Sequence, residues 1–423
     1  MSRRKHGPSH NELIAAIDIG SSKTACLIAH LSASEDGERI AEVIGAGRQG
    51  AGPRERAAAK TLSAENALRG AVEAAETLAG ERIRTVHAAV GGRFLHCRRV
   101  GVDLEIAGGR VTQEDLADCL SEGAGAGAAD GCRMIHALPI AYSVDGEDAG
   151  PDPVGLAGDM LTAEILGISA RESHIANLET LAERCGLRIE KFLAAPLAAA
   201  EAVLLDDEKD LGVVLIDIGA GSTGYAVYER GALIDCGGAP LGGDHITRDI
   251  AQIFGAPLKQ AERVKTLYGS ALAGAGDEHK LVDIEQVGGA GETLRVSRAE
   301  ISAVIAPRLE EIFELTQKRL PADASARHGV RRLVLTGGGS LIVGARETAE
   351  KVLRMKARLG RPAPLSGAPD AAASPQFSVC AGLIQLAANQ MIGNRTSHVM
   401  APPRRAHGGG VLAGVGHWLR ENF

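Results

Sequence analysis

Two stretches of the chain place an aspartate, glycines and hydroxyl residues in the same order after an apolar run. LIAAID leads into Gly20-Ser21-Ser22-Lys23-Thr24, and GVVLID leads into Gly219-Ala220-Gly221-Ser222-Thr223. A turn built of Gly and Ser can aim several backbone N–H groups at one point, because no Cβ blocks the approach and positive φ is open to glycine. Such a turn is an anion cradle. Two facing cradles can grip a polyphosphate from both sides, with Asp18 and Asp217 helping to hold a divalent cation, Mg2+, through water and Lys23 adding positive charge. The plain reading of either turn alone is a tight hairpin with no ligand. A third loop, Thr336-Gly337-Gly338-Gly339-Ser340, follows an apolar run and lets a flat group pass close to the backbone. In this order the three point to a nucleotide site. They are not a Walker A loop, since G-x-x-x-x-G-K-[ST] does not occur, and Gly219-x-Gly221 lacks the third glycine and following helix of a dinucleotide fingerprint.

The elements that must hold these turns are legible from periodicity. Apolar runs on both sides of the first two turns predict strand–turn–strand units, and their recurrence predicts a duplicated domain. Residues 61–80, 171–185, 195–205 and 298–317 have the spacing of amphipathic or tightly packed helices, and a helical stretch is predicted after Ser340 through ARETAEKVLRMKARL. From 86 to 165 strand-like stretches surround one helical piece near TQEDLADCLSEG, which predicts a small α+β insertion. The expected division is a first lobe over 1–85 and 166–205 interrupted by the insertion at 86–165. A second lobe follows over 206–240 and 329–392, with its own subdomain at 241–328. A linker at 393–410 leads to a tail at 411–423.

In that tail Val411, Leu412, Val415, Trp418, Leu419 and Phe423 fall on one helical face. Thirteen residues are too few to span a bilayer but can lie in its interface, where Trp418 suits the headgroup boundary and Arg404, Arg405 and Arg420 can meet anionic lipid. A terminal helix docked on the body is the alternative, against which the polar, Pro-containing linker argues.

Composition bounds what remains. The 423 residues provide for about three structural units at roughly 150 residues each. Lys and Arg total 46 against 53 Asp and Glu, a net charge of −7, which argues against a protein built to neutralise nucleic-acid backbones. Seven dispersed cysteines with no C-x-x-C pair predict a reducing cytoplasm and no zinc, and the basic first ten residues lack the apolar core of an export signal. No metal beyond Mg2+ is expected.

The succession IDIGSSKT, IDIGAGST, GGDHIT and TGGGS resembles the phosphate 1, phosphate 2 and adenosine motifs of the actin, Hsp70 and sugar-kinase superfamily. Within it, HALPIAYSVDG, PVGLAGDMLTAEI, AERCGL, AERVKTLYG, SAVIAPRLEEIFEL and the terminal WLRENF are similar to the FtsA family of bacterial cell-division proteins, over nearly the whole chain. The resemblance implies an α/β, actin-like two-lobed ATPase fold with an inserted small α+β subdomain and a C-terminal amphipathic helix. ATP and Mg2+ would lie between the lobes. Gly20, Ser21, Ser22 and Lys23 would hold phosphates from one side, and Gly219, Gly221, Ser222 and Thr223 from the other, with Gly242 and Gly243 of GGDHIT also binding the cofactor. Glu262 and Lys265 would meet the nucleoside, with a solvated i,i+3 pair as the alternative, and Gly337, Gly338, Gly339 and Ser340 the adenosine.

The family's role implies polymerisation at the inner membrane face, anchoring of FtsZ polymers there, and contacts with later division proteins. Arg308 and Glu311, exposed on helix 298–317, are the candidate partner contacts, although a helix with Ile301, Val304, Ile305, Ile312 and Phe313 on one side is first of all a core helix. One departure bears on chemistry: where relatives carry a water-positioning Glu-Pro or Gln, this chain has Ala195-Pro196, so ATP binding with weak turnover is expected. A small-molecule kinase of the superfamily or another actin-like cytoskeletal or pilus-assembly ATPase is the competing reading. An Hsp70-like chaperone would need a substrate domain for which too little chain follows residue 398.

Overall fold

A computed structural model describes residues 12–33, 39–50, 57–288, 292–321, 330–390 and 399–400. The first apolar run forms β1 (Glu12–Ile19), which turns back antiparallel into β2 (Lys23–Ala33) and then β3 (Arg39–Gly50). Helix α1 (Ala57–Ala79) crosses to β4 (Thr85–Val90), parallel to β1. The chain then leaves this sheet for an excursion through β5 (Leu95–Glu105), α2 (Gln113–Gly127), β6 (Cys132–Val144), β7 (Glu147–Asp148) and β8 (Met160–Arg171). It returns through α3 (Glu172–Arg184) to β9 (Arg188–Ala194), parallel to β4, giving the order β3-β2-β1-β4-β9. Thus residues 86–90, expected within the insertion, belong to the first sheet.

After α4 (Ala195–Val203) and α5 (Asp206–Leu211) the same path repeats. β10 (Val213–Ile218), β11 (Thr223–Glu229) and β12 (Ala232–Ala239) form an antiparallel meander. Next come α6 (Gly243–Phe254), α7 (Leu258–Tyr268), the hairpin β13 (Leu281–Glu285) and β14 (Thr293–Ser297), and α8 (Arg298–Gln317). Parallel β15 (Arg332–Thr336) and, after α9 (Ala345–Leu353), β16 (Lys356–Leu359) complete the order β12-β11-β10-β15-β16. The two sheets have one topology, as the repeated turns predict. Lys356–Leu359, read as helical in the sequence, is a strand because β15 offers it a parallel edge.

Both sheets are covered on both faces, which is why their central strands are apolar throughout. In β10, Val213 and Leu215 face the core between the sheets, while Val214, Ile216 and Ile218 face α6, α8 and α9. In β1, Ile14 and Ala16 face inward and Ala15 and Ile17 face α1. The layer between the sheets is α4 and α10 (Ser378–Gln390), which pack directly on each other. Helix α10 follows the second sheet in sequence yet packs on β1 to β4, whereas α4 packs on β10, β11 and β12 as well as on β4 and β9. The segment 329–392, assigned to the second lobe on sequence, therefore ends in a helix that covers the first sheet.

Alanines along α4 and a glycine in α10 permit this crossing. A Cβ at Gly382 would lie 1.6 Å from the Ala198 carbonyl oxygen. Alanine there favours the helix by roughly 0.5–1 kcal/mol, but overpacking a helix crossing costs about 1–3 kcal/mol, so the clash wins. Gly382→Ala is expected to lower stability, read as a fall in the urea midpoint; an unchanged or higher midpoint would show that the two helices can separate freely.

The excursion forms its own antiparallel sheet, β6-β8-β5, with β17 (Val399–Met400) along the free edge of β6 and α2 packed on one face. Thr112 caps α2 with its hydroxyl accepting from Asp115 N–H while the Asp115 carboxylate accepts from Thr112 N–H. Gly127 and Gly167 face each other closely enough to let α2 lie directly on β8.

Candidate functional site

The two small-residue turns have the same construction. Gly20 N–H donates to the Lys23 carbonyl at 3.0 Å, and Gly219 N–H donates to the Ser222 carbonyl at 3.0 Å. In each hairpin the aspartate stands one position before the end of its strand, Asp18 opposite Ala25 and Asp217 opposite Gly224. The tips meet: a Cβ on Gly221 would lie 2.3 Å from Ser21 Oγ. Ser21 and Ser222 are half-buried and Ser22 is exposed, so hydroxyls line this contact without being sealed into a core.

Electrostatics tie the two tips together. Burial pushes the Asp18 carboxyl up, opposed by the Lys23 ammonium. Asp217 is pushed up to about 7, chiefly by burial and then by the charge of Asp18. Lys23 is pushed down by burial, held back by Asp18 and, more weakly, by Asp217. Two carboxyls and one ammonium thus share a poorly solvated place, an arrangement typical of functional sites.

The third loop closes on the same point. Gly337 has φ 81°, and a Cβ on it would lie 2.1 Å from Asp217 Oδ1 and 2.7 Å from the Ile218 carbonyl oxygen. Gly338 begins a single tight turn, stabilised by Ser340, whose N–H and hydroxyl both donate to the Gly337 carbonyl at 3.2 and 2.7 Å. Beside it, Gln376 accepts from Lys23 Nζ through its backbone carbonyl at 2.7 Å and approaches Gly338. Gln376 was not singled out in the sequence, where a glutamine after Pro375 carries no signal; it links the first and third loops across the chain.

The GGD segment behaves differently from a free cradle. Gly243 N–H donates to the Gly219 carbonyl at 2.9 Å and Asp244 N–H to the Ala220 carbonyl at 2.8 Å, so the first amides of α6 brace the second tip. A side chain on Gly242 would strike those same carbonyls. Lys265 Nζ donates to the Gly243 carbonyl at 3.0 Å and to Thr247 Oγ1 at 2.8 Å, and pairs with Glu262 at 2.7 Å. The Lys265 side chain is 11 % exposed and that of Glu262 51 %, so the lysine pins α7 to α6 while the glutamate keeps a free face.

Three expectations sit apart from this cluster. Arg308 is not an exposed contact: it is half-buried, bidentate to Asp249 of α6 at 2.6 and 3.0 Å and paired with Glu311. Glu311 is likewise half-buried. Pro196 lies against Gly224 of the second hairpin, so the start of α4 faces the site with an apolar ring and no water-positioning group. Val411, Leu412, Val415, Trp418, Leu419 and Phe423 lie outside the described residues. Among the described residues no group of three or more His, Cys, Asp or Glu is placed to hold a metal, and no helix is long and apolar enough to cross a membrane.

This geometry can be set beside known proteins. The profile of the cell division protein FtsA matches residues 214–382, and that of the SHS2 domain inserted in FtsA matches 92–169. The cell division protein FtsA of Agrobacterium fabrum is 32% identical over 433 aligned positions, covering 100% of this chain and 96% of the relative. The chain belongs to the FtsA family. That of Escherichia coli K12 is 29% identical, covering 97% of this chain and 98% of the relative. Membership in the FtsA family places this chain in cell division. Among solved structures, the PilM-PilN type IV pilus biogenesis complex aligns with a TM-score of 0.62 at 17% identity, covering 89% of this chain and 98% of the other. MreB5 of Spiroplasma citri bound to ADP aligns at 0.50 and 14%, covering 91% and 98%. At such identities these likenesses concern the fold, which is actin-like with the SHS2 insert characteristic of the family.

Proposed function

We propose that this chain binds ATP with Mg2+ where the two hairpin tips meet, polymerises on the inner face of the cell membrane, and anchors FtsZ filaments there at the division septum. The observation that carries the reading is the convergence of two identically built turns and a third glycine loop on one Asp–Lys–Asp cluster. The turn amides that follow Gly20 and Gly219, together with Ser21, Ser22, Ser222 and Lys23, are suited to phosphate oxygens, whereas Thr223 is buried and its hydroxyl donates to the Leu241 carbonyl at 2.8 Å, so it braces the second turn from behind. Glu262 and the loop 337–340 are suited to the nucleoside.

The residues fit a magnesium ion. Asp18 and Asp217 are oxygen donors whose ionised forms are disfavoured until a positive charge arrives, and two carboxylates suffice for a cation otherwise held by water and phosphate. Bound there, magnesium supplies charge neutralisation to the phosphates. With Ala195-Pro196 facing the site, no side chain of α4 orients water, so hydrolysis is slow. Turnover at rates ordinary for kinases, abolished by Asp217→Ala, would contradict this.

The membrane role rests on the tail. A buried large apolar side chain is worth about 1.5–3 kcal/mol, but partial insertion and helix formation leave one tail a marginal, reversible anchor. A polymer presenting many tails binds far more tightly, since later contacts are intramolecular. The contact with FtsZ is assigned to the subdomain of α6 to α8. There the Arg308–Asp249 pair holds α8 against α6, and Glu311 offers its remaining face to the partner. Later divisome proteins are assigned to the inserted sheet. With anionic liposomes, full-length protein is expected to carry FtsZ filaments into the pellet, and deletion of 411–423 to leave both in the supernatant. Undiminished pelleting after the deletion would refute the anchor.

A further inference from the structure

The inserted sheet touches the second sheet through a pair of cysteines. Cys97 of β5 and Cys236 of β12 have their sulfurs 3.4 Å apart, and the Cys97 thiol donates to the Cys236 carbonyl at 2.8 Å. No other two cysteine sulfurs are in contact among the described residues. Around the pair the backbones are already pressed together, since a Cβ on Gly92 would lie 2.1 Å from the Gly237 carbonyl oxygen. Arg99 Nε adds a bond to the Ile234 carbonyl at 3.0 Å. A close backbone approach on one side and a side-chain bond on the other therefore flank the thiols along the seam between insert and second sheet. Cys97 is half-buried and open to a small oxidant, while Cys236 is buried behind it.

We propose that Cys97 and Cys236 are an oxidation site, which a hydroperoxide converts into a disulfide that staples the insert to the second sheet. The Cys97 sulfur attacks the peroxide, the O–O bond breaks, and Cys97 becomes a sulfenic acid with release of one water. The Cys236 sulfur then attacks the Cys97 sulfur; the S–S bond forms, the S–O bond breaks, and a second water leaves with the thiol proton. Two thiols lose two electrons and two protons, and hydrogen peroxide is reduced to two waters. The sulfurs, 3.4 Å apart, must close to about 2 Å for the bond to form. The insert departs from the first sheet at β4 and returns through α3, so the bond restrains its swing against the second sheet. Reduction by a dithiol, through thiol–disulfide exchange, releases the staple.

The test uses the full-length protein treated with hydrogen peroxide, alkylated, digested with trypsin without reductant, and weighed. The expected product joins fragments 94–98 and 231–248, is two hydrogens lighter than their sum, and disappears on reduction. Cys97→Ser removes it, while Cys26 and Cys380, both fully buried, remain reduced. Recovery of Cys97 as a sulfinic acid, or linked to Cys132 or Cys185, would overturn the proposal, as would an unoxidised pair. Hydrogen exchange supplies an independent reading. Amides of β5 and β12 are expected to exchange several-fold more slowly in the oxidised protein, and unchanged rates would overturn the stapling.

Discussion

Gly337→Val is expected to abolish nucleotide binding, with a loss of at least about a hundredfold in affinity, and to destabilise the protein at the same time. Valine would have to adopt φ 81°, a conformation that a β-branched side chain strongly resists, with its Cβ 2.1 Å from Asp217 Oδ1. Neither neighbour can give way, since the carboxyl belongs to the shared charge cluster and the Ile218 carbonyl, 2.7 Å from the same Cβ, is backbone. Binding and unfolding should fall together. Gly338→Ala is the control, because its Cβ would meet only Gln376 atoms at ordinary van der Waals distance. If Gly337→Val kept wild-type affinity, the third loop would not lie against the ligand.

The second large effect is on stability against pH in the absence of nucleotide and metal. Asp217 titrates near 7 in the folded protein instead of near its usual 3.8, because burial and the neighbouring Asp18 charge disfavour ionisation. Its folded pKa is raised, so its contribution is full below about pH 4 and is lost as the pH rises through about 7. At about 1.4 kcal/mol per pH unit the limit is about 4 kcal/mol, and solvent reaching a half-buried carboxyl reduces this to roughly 1–2 kcal/mol. The urea midpoint should fall between about pH 4 and pH 7, and Asp217→Asn should flatten that slope. A midpoint equally pH-dependent in the variant would place the titration elsewhere.

What could be read before the fold was known follows from how local each signal is. The two hairpins were legible because apolar runs flanking small-residue turns report on their own backbone, and the recurrence at β1–β2 and β10–β11 implied the duplication. The strand at Lys356–Leu359 was not, because a short run of helix-forming residues becomes a strand only beside β15. The place of α10 on the first sheet was hidden as well: nothing local distinguishes a helix that stays with the preceding sheet from one that crosses. At the site, glycines and aspartates carried their own signal, whereas Gln376 acquires its place solely from the bond to Lys23. Periodicity showed which face of α8 is apolar but not that α6 sets Asp249 against Arg308, so an arginine read as free is an ion-paired strut.

The duplicated topology explains why the site lies where it does. Each sheet presents one hairpin tip at its junction with the other, and the crossed helices α4 and α10 fix the distance between them. A ligand gripped by both tips would couple the two halves. Isothermal titration of the full-length, folded protein with ATP and magnesium tests this most directly. One ATP per chain is expected, with the heat lost in Gly337→Val and retained in Gly338→Ala; a folded protein that gives no binding heat at any temperature tried, and no competition with a fluorescent ATP analogue, would contradict it.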